Sequence, residues 1–199
     1  MPFAYYDRLT RAQQRVYRQS DGITSLRLAH PAALHPLVEV LPAALAQEER
    51  AAIQEGTDRL YNALAQAFGT PPCRVEVLAA RPHGRWGELQ GLYETAERGR
   101  PAKVTLWMRT ARQRRVVAFR TFLRTLLHEL CHHLDYEHLR LADSFHTEGF
   151  YKRESSLFHQ LVPEPSAPSP SSGGRGSGGG WTPSSPGCAR RSPAPPSAG

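Results

Sequence analysis

The stretch His128-Glu129-Leu130-Cys131-His132 reads HExxH, and the chain is read outward from it. Two histidines four residues apart on an α-helix project from one side of it, about 40° apart, so both imidazoles can reach a single Zn²⁺ ion. Glu129, the next residue, faces the same region and can take a proton from water. A shuffled chain of this composition would contain the pattern about 0.03 times, so chance is a poor account of it.

The pattern carries chemistry only on a helix packed into a core. Apolar residues recur at Val116, Phe119, Leu123, Leu126, Leu130 and Leu134, steps of three or four that define one stripe. The stripe predicts a helix from about Arg112 to Leu139. With His128 at 0° and about 100° per residue, His132 falls near 40° and Glu129 near 100°, opposite the leucines. Thr110 and Gln113 form a T-x-x-Q capping box expected to start this helix.

A catalytic zinc takes three protein ligands and keeps one position open, so a third donor is needed. His138, His146, Glu148 and Glu154 are available. His138 stands where a metzincin has its last histidine, but Asp135 occupies the position of the glycine that turns that chain, and on a continuing helix His138 points away. His146 follows a turn at the start of the next helix, from which a side chain can point back. Glu154, further along that helix, keeps a gluzincin arrangement open. Asp135, near 340°, lies on the ligand face, where it either orients an imidazole by accepting its other N–H or simply faces solvent.

The run His146-Thr147-Glu148-Gly149-Phe150 has the H-x-x-x-F form that follows HExxH in SprT-like zinc metalloproteases, and over roughly residues 74 to 160 the chain resembles that family. Thr147 stands where the family usually has glycine. The resemblance implies Zn²⁺ held by His128, His132 and His146, with Glu129 as catalytic acid-base. It implies a metallopeptidase in which metal-activated water attacks a peptide carbonyl and Glu129 passes the proton to the leaving amine. The strand before the active helix is expected to be a sheet edge that pairs with extended substrate. The alternative is a zinc-binding domain that binds protein or nucleic acid without cutting it.

The expected fold is α+β, a small zincin-like domain. Leu9 to Arg18 looks helical, and Leu45, Ile53, Leu60, Leu64 and Phe68 suggest one long amphipathic helix from Pro42 to Phe68, stopped by Gly69-Thr70-Pro71-Pro72. Three strands follow at Arg74 to Ala80, Gly87 to Glu94 and Ala102 to Arg109. In the last, Ala102, Val104, Leu106 and Met108 alternate with Lys103, Thr105, Trp107 and Arg109, predicting one core face and one wetter face. After the HExxH helix, His146 to Leu161 reads as a final helix, weakened by Gly149 in its first turn.

From Pro163 to Gly199 the chain holds 9 Pro, 8 Gly and 9 Ser, with Trp181 as its single large apolar residue. Such a segment buries too little to offset the entropy of ordering, so 163–199 is expected to be a disordered tail and 1–162 the folded domain. The domain carries a mild positive excess. Arginines at Arg109, Arg112, Arg114 and Arg115 allow a weak nucleic-acid contact, although a solvated helix end is the simpler reading. Cys73, Cys131 and Cys188 have no C-x-x-C spacing, which argues against a disulfide framework and a cysteine zinc site. No apolar run approaches ~18 residues and the first residues lack a secretion-signal pattern, so a cytoplasmic protein with a protein or peptide substrate and no membrane is expected. Oligomeric state is not legible.

Overall fold

The computed structural model describes residues 2 to 163, apart from 85, 86, 89 and 98. The expectation of a disordered tail falls almost wholly outside these residues. Among them the chain is α+β, with α1 (Arg11–Gly22), α2 (His35–Ala46), α3 (Arg50–Ala67), β1 (Arg74–Ala80), β2 (His83–Gly84), β3 (Gly87–Glu88), β4 (Gly91–Glu94), β5 (Lys103–Arg109), α4 (Phe119–Glu137) and α5 (Glu148–Leu161). β1 pairs parallel with β5 and β4 pairs antiparallel with it, giving the order β1-β5-β4. β2 and β3 form a separate two-residue ladder. No helix among the described residues is long and apolar enough to cross a membrane.

The core lies between the sheet and the helices. Val75 and Val77 of β1, Val104, Leu106 and Met108 of β5, and Leu123, Leu126, Leu130 and Leu134 of α4 join one apolar cluster with Ile53, Leu60 and Leu64 of α3. The leucine stripe read from the sequence is therefore the core face of α4, and all four of its leucines are fully buried. This fixes which side of the helix the two histidines must take.

Four expectations are corrected. The helix expected from Pro42 to Phe68 is two helices: Glu48 takes a left-handed conformation (φ 58°) between α2 and α3, and Pro42 lies inside α2. The HExxH helix starts at Phe119, because Val116 and Val117 are still extended, with Val117 N–H donating to the Met108 carbonyl at 2.8 Å. Thr110 does not cap it; Thr110 and Arg115 close a turn through Thr110 N–H to the Arg115 carbonyl, 2.9 Å. A capping box does form at Thr10 and Gln13, which starts α1.

The strand before the active helix is the third correction, since β5 is central and the edges are β1 and β4. The fourth follows from it: Thr105 and Trp107, expected on a wetter face, are 4 % and 6 % exposed. A central strand has neighbours on both sides, here Glu76 and Leu92 beside Thr105 and Leu78 beside Trp107.

Candidate metal centre

α4 carries His128 and His132 on the side opposite its leucines, and α5 with the turn before it covers that side. Phe150 of α5 packs against all three imidazoles, with ring centroids 4.9 Å from His128, 4.8 Å from His132 and 5.2 Å from His146. That contact accounts for the H-x-x-x-F spacing, because His146 just before the cap of α5 and Phe150 in its first turn reach the same cluster. Thr147, in the glycine position of the resemblance, caps α5 by accepting from Phe150 N–H at 2.9 Å.

The three histidines converge. His146 Nε2 lies 2.9 Å from His128 Nε2 and 3.0 Å from His132 Nε2, and the group is positioned closely enough to hold a metal ion. Their neighbours set the proton positions. His128 Nδ1 is 3.1 Å from Glu154 Oε2, a carboxylate that can only accept, so Nδ1 carries the proton and Nε2 a lone pair. His132 Nδ1 is 2.7 Å from Ser144 Oγ, whose own proton goes to Asp135 Oδ2 at 2.7 Å, so His132 Nε2 also carries a lone pair. A proton on His146 can serve one of these lone pairs, whereas one divalent cation serves all three nitrogens. Tetrahedral zinc with about 2.05 Å bonds needs nitrogens about 3.3 Å apart, so the rings would open slightly to admit it. The residues fit the ion.

Glu129 is 1 % exposed. Burial pushes its carboxyl up to about 7, opposed by the adjacent His128 and by the Tyr93 backbone N–H that it accepts from, and reinforced by Glu154. Its Oε1 is buried without a hydrogen-bond partner. Gly91 of β4 makes room for this oxygen, because a Cβ there would stand 2.4 Å from it. Buried carboxylate oxygens are rarely left unsatisfied, and this one belongs to the residue after His128.

Other candidates fall elsewhere. Glu154, the alternative third ligand, binds the Nδ1 side of His128, turned from the cluster, and also meets Arg124 at 3.4 Å. His138 ends α4 with Nδ1 3.1 Å from the Phe68 carbonyl, and Glu148 pairs with Lys152 at 2.6 Å. Asp135 does orient an imidazole, but through Ser144 rather than directly. Arg153 is fully buried against Asp135 at 2.7 Å and is not available to a substrate. Tyr151 stacks on His146 with centroids 5.9 Å apart, and Tyr136 Oη donates to Asp143 at 3.4 Å.

His133 and Cys131 are core residues, 1 % and 0 % exposed. His133 Nε2 donates to the Pro71 carbonyl at 3.0 Å, leaving Nδ1 to accept near Tyr93 Oη (3.2 Å) and Cys73 Sγ (3.3 Å). Arg112, Arg114 and Arg115 are exposed in the turn after β5, and Arg109 pairs with Glu48. Four contributors were not read from the sequence: Ser144, Gly91, the Tyr93 N–H and the N-terminal segment, whose Tyr5 Oη donates to the His146 carbonyl at 2.7 Å. The chain matches no protein-family model, no curated protein and no solved structure.

Proposed function

We propose that the chain is a zinc-dependent metallopeptidase of the SprT-like, zincin kind, with Zn²⁺ held by His128, His132 and His146 and Glu129 as general base. The observation that carries the reading is the convergence of three imidazole nitrogens, two with their protons fixed on the far side, with the buried, unpartnered carboxylate oxygen of Glu129 on the residue after His128. An all-nitrogen set of three suits zinc and leaves a position open, which favours hydrolysis over a closed structural site. Among the described residues no fourth protein donor joins the group.

Bound there, zinc lowers the pKa of water toward ~7 and polarises a carbonyl oxygen. Glu129 then receives the proton at Oε1 and delivers it to the leaving amine. Burial raises this carboxyl to about 7 in the metal-free chain, and a neighbouring cation would lower it. Tyr93 N–H anchors the carboxyl, and Gly91 keeps the strand clear of it. The substrate class is protein or peptide: β4, the sheet edge beside Glu129, offers a backbone that an extended chain can pair with.

Glu129→Gln tests the assignment. The variant should bind zinc with wild-type stoichiometry and lose hydrolysis of an unfolded, fluorophore-labelled protein by at least ~10²-fold, the scale of a positioned acid-base. Unchanged turnover removes Glu129 from the mechanism.

A further inference from the structure

A chain of buried hydrogen bonds runs from His132 to the N-terminal helix. Ser144 Oγ has one proton and two neighbours at 2.7 Å, Asp135 Oδ2 and His132 Nδ1. Because the carboxylate only accepts, the serine gives its proton to Asp135 and accepts from His132 Nδ1–H. His132 thereby keeps a lone pair on Nε2, the atom that faces the site.

Asp135 stays an acceptor because Arg153 Nη2 donates to its other oxygen at 2.7 Å, and both side chains are fully buried. Arg153 is itself gripped by the end of α1. Its Nη1 donates to the carbonyls of Ser20 and Ile23, each at 2.6 Å, and Nη2 donates to Ser20 Oγ at 3.0 Å. Carbonyls at a helix C-terminus carry partial negative charge and hold a guanidinium well. α1 reaches this depth because residue 149 is glycine: its N–H donates to Asp21 Oδ1 at 2.9 Å, and a Cβ would stand 2.4 Å from the Asp21 carbonyl oxygen and 2.7 Å from that of Ser20.

We propose that Arg153, held by the C-terminal end of α1, is a positioning residue that fixes the tautomer of His132 through Asp135 and Ser144, so that the N-terminal helix sets the site's affinity for zinc. The inference rests on the three histidines being a metal site and is independent of whether peptides are cut.

Asp135→Asn separates this from a structural role. Arg153 demands an acceptor, so the new amide turns its oxygen to the guanidinium and its NH₂ to Ser144. The serine must then donate to His132 Nδ1, which moves the imidazole proton to Nε2 and blocks coordination. In metal-free protein at mildly alkaline pH, ¹⁵N shifts of the His132 ring should report Nδ1–H in the wild type and Nε2–H in Asp135→Asn. Zinc affinity by chelator competition should fall about 10- to 100-fold, the usual cost of removing a partner behind a ligand. Ser144→Ala, which leaves the Arg153–Asp135 pair intact, should lose the Nδ1–H preference and weaken zinc over the same range. Gly149→Ala should weaken zinc by pushing α1 and α5 apart. A wild-type His132 carrying its proton on Nε2, or variants that fold yet keep the wild-type tautomer and affinity, overturns the relay. If the tautomer shifts as expected but wild-type protein takes up no zinc, the metal reading falls, and the claim on zinc affinity falls with it.

Discussion

Gly91→Ala adds one methyl group beside the carboxylate assigned to proton transfer. The new Cβ would lie 2.4 Å from Glu129 Oε1 and 2.8 Å from both Cδ and Cγ, where ordinary contact begins near 3.4 Å. Relief requires a shift of about 1 Å between β4 and the Glu129 side chain. Neither partner yields freely: Gly91 is in register with Leu106 of β5, and Glu129 is buried on the middle of α4. Overpacking of this kind costs about 1–3 kcal/mol, which lowers Tm by roughly 2–12 °C at about 2–4 °C per kcal/mol for a chain of this size. A catalytic group displaced by about 1 Å loses on the order of 10²-fold in rate, equivalent to about 2.7 kcal/mol of barrier. The histidines are untouched, so zinc stoichiometry should hold. Thermal melts of the metal-free protein, kcat/KM on an unfolded substrate and metal analysis read the three quantities separately. Gly22→Ala is the control, since a Cβ there meets nothing within 4 Å. A Gly91→Ala protein with wild-type Tm and activity would refute the reasoning that Gly91 exists to seat the carboxylate.

Zinc at about 1,000 times its Kd should stabilise the native chain by about 4 kcal/mol, a Tm rise of roughly 8–16 °C that chelator reverses and His146→Ala largely removes. Differential scanning fluorimetry checks it, and an unchanged Tm would mean the native state takes up no zinc. Burial pushes the Cys73 thiol up to about 11, opposed by the Tyr61 hydroxyl that donates to it and reinforced by Glu137. A folded-state pKa above the unfolded one contributes stability below the unfolded value, here near 8.5–9, and loses it as pH rises toward 11. Denaturant melts across that range should therefore show a decline of about 2–3 kcal/mol from this group, flattened in Cys73→Ala; equal slopes in the two proteins would contradict the shift.

Much of the fold was legible because period and burial are linked. The leucine steps at Leu123, Leu126, Leu130 and Leu134 named the core face of α4, and with it the opposite face that bears His128 and His132. β1 was bounded correctly by Pro72 before it and by Arg81-Pro82 after it. The misreadings share a cause: tertiary pairing decided where local pattern was ambiguous. Val116 and Phe119 fit the helical stripe equally well, yet Val117 bonds to Met108 and only Phe119 is helical. No local signal orders three strands either, so β5 could pass for an edge until β1 and β4 are seen on both sides of it.

The site divides along the same line. His128, Glu129 and His132 are fixed by helical geometry over five residues, and His146 by a turn that returns the chain, which is why spacing could reach them. What tunes them is remote. In the sequence alone Ser144 is an ordinary polar residue, Gly149 weakens a helix start, and Ser20 lies past the helix expected from Leu9 to Arg18. Each acquires its meaning only when α1 lies against α5: the glycine admits the helix end, the helix end holds Arg153, and the guanidinium keeps Asp135 an acceptor. Hydrogen-bond polarity is conserved along such a chain, because a hydroxyl with one proton must accept on one side if it donates on the other. The proton position on His132 is thereby decided more than a hundred residues away in sequence, at the N-terminal end of the fold, and a reading confined to the HExxH helix has no means of finding it.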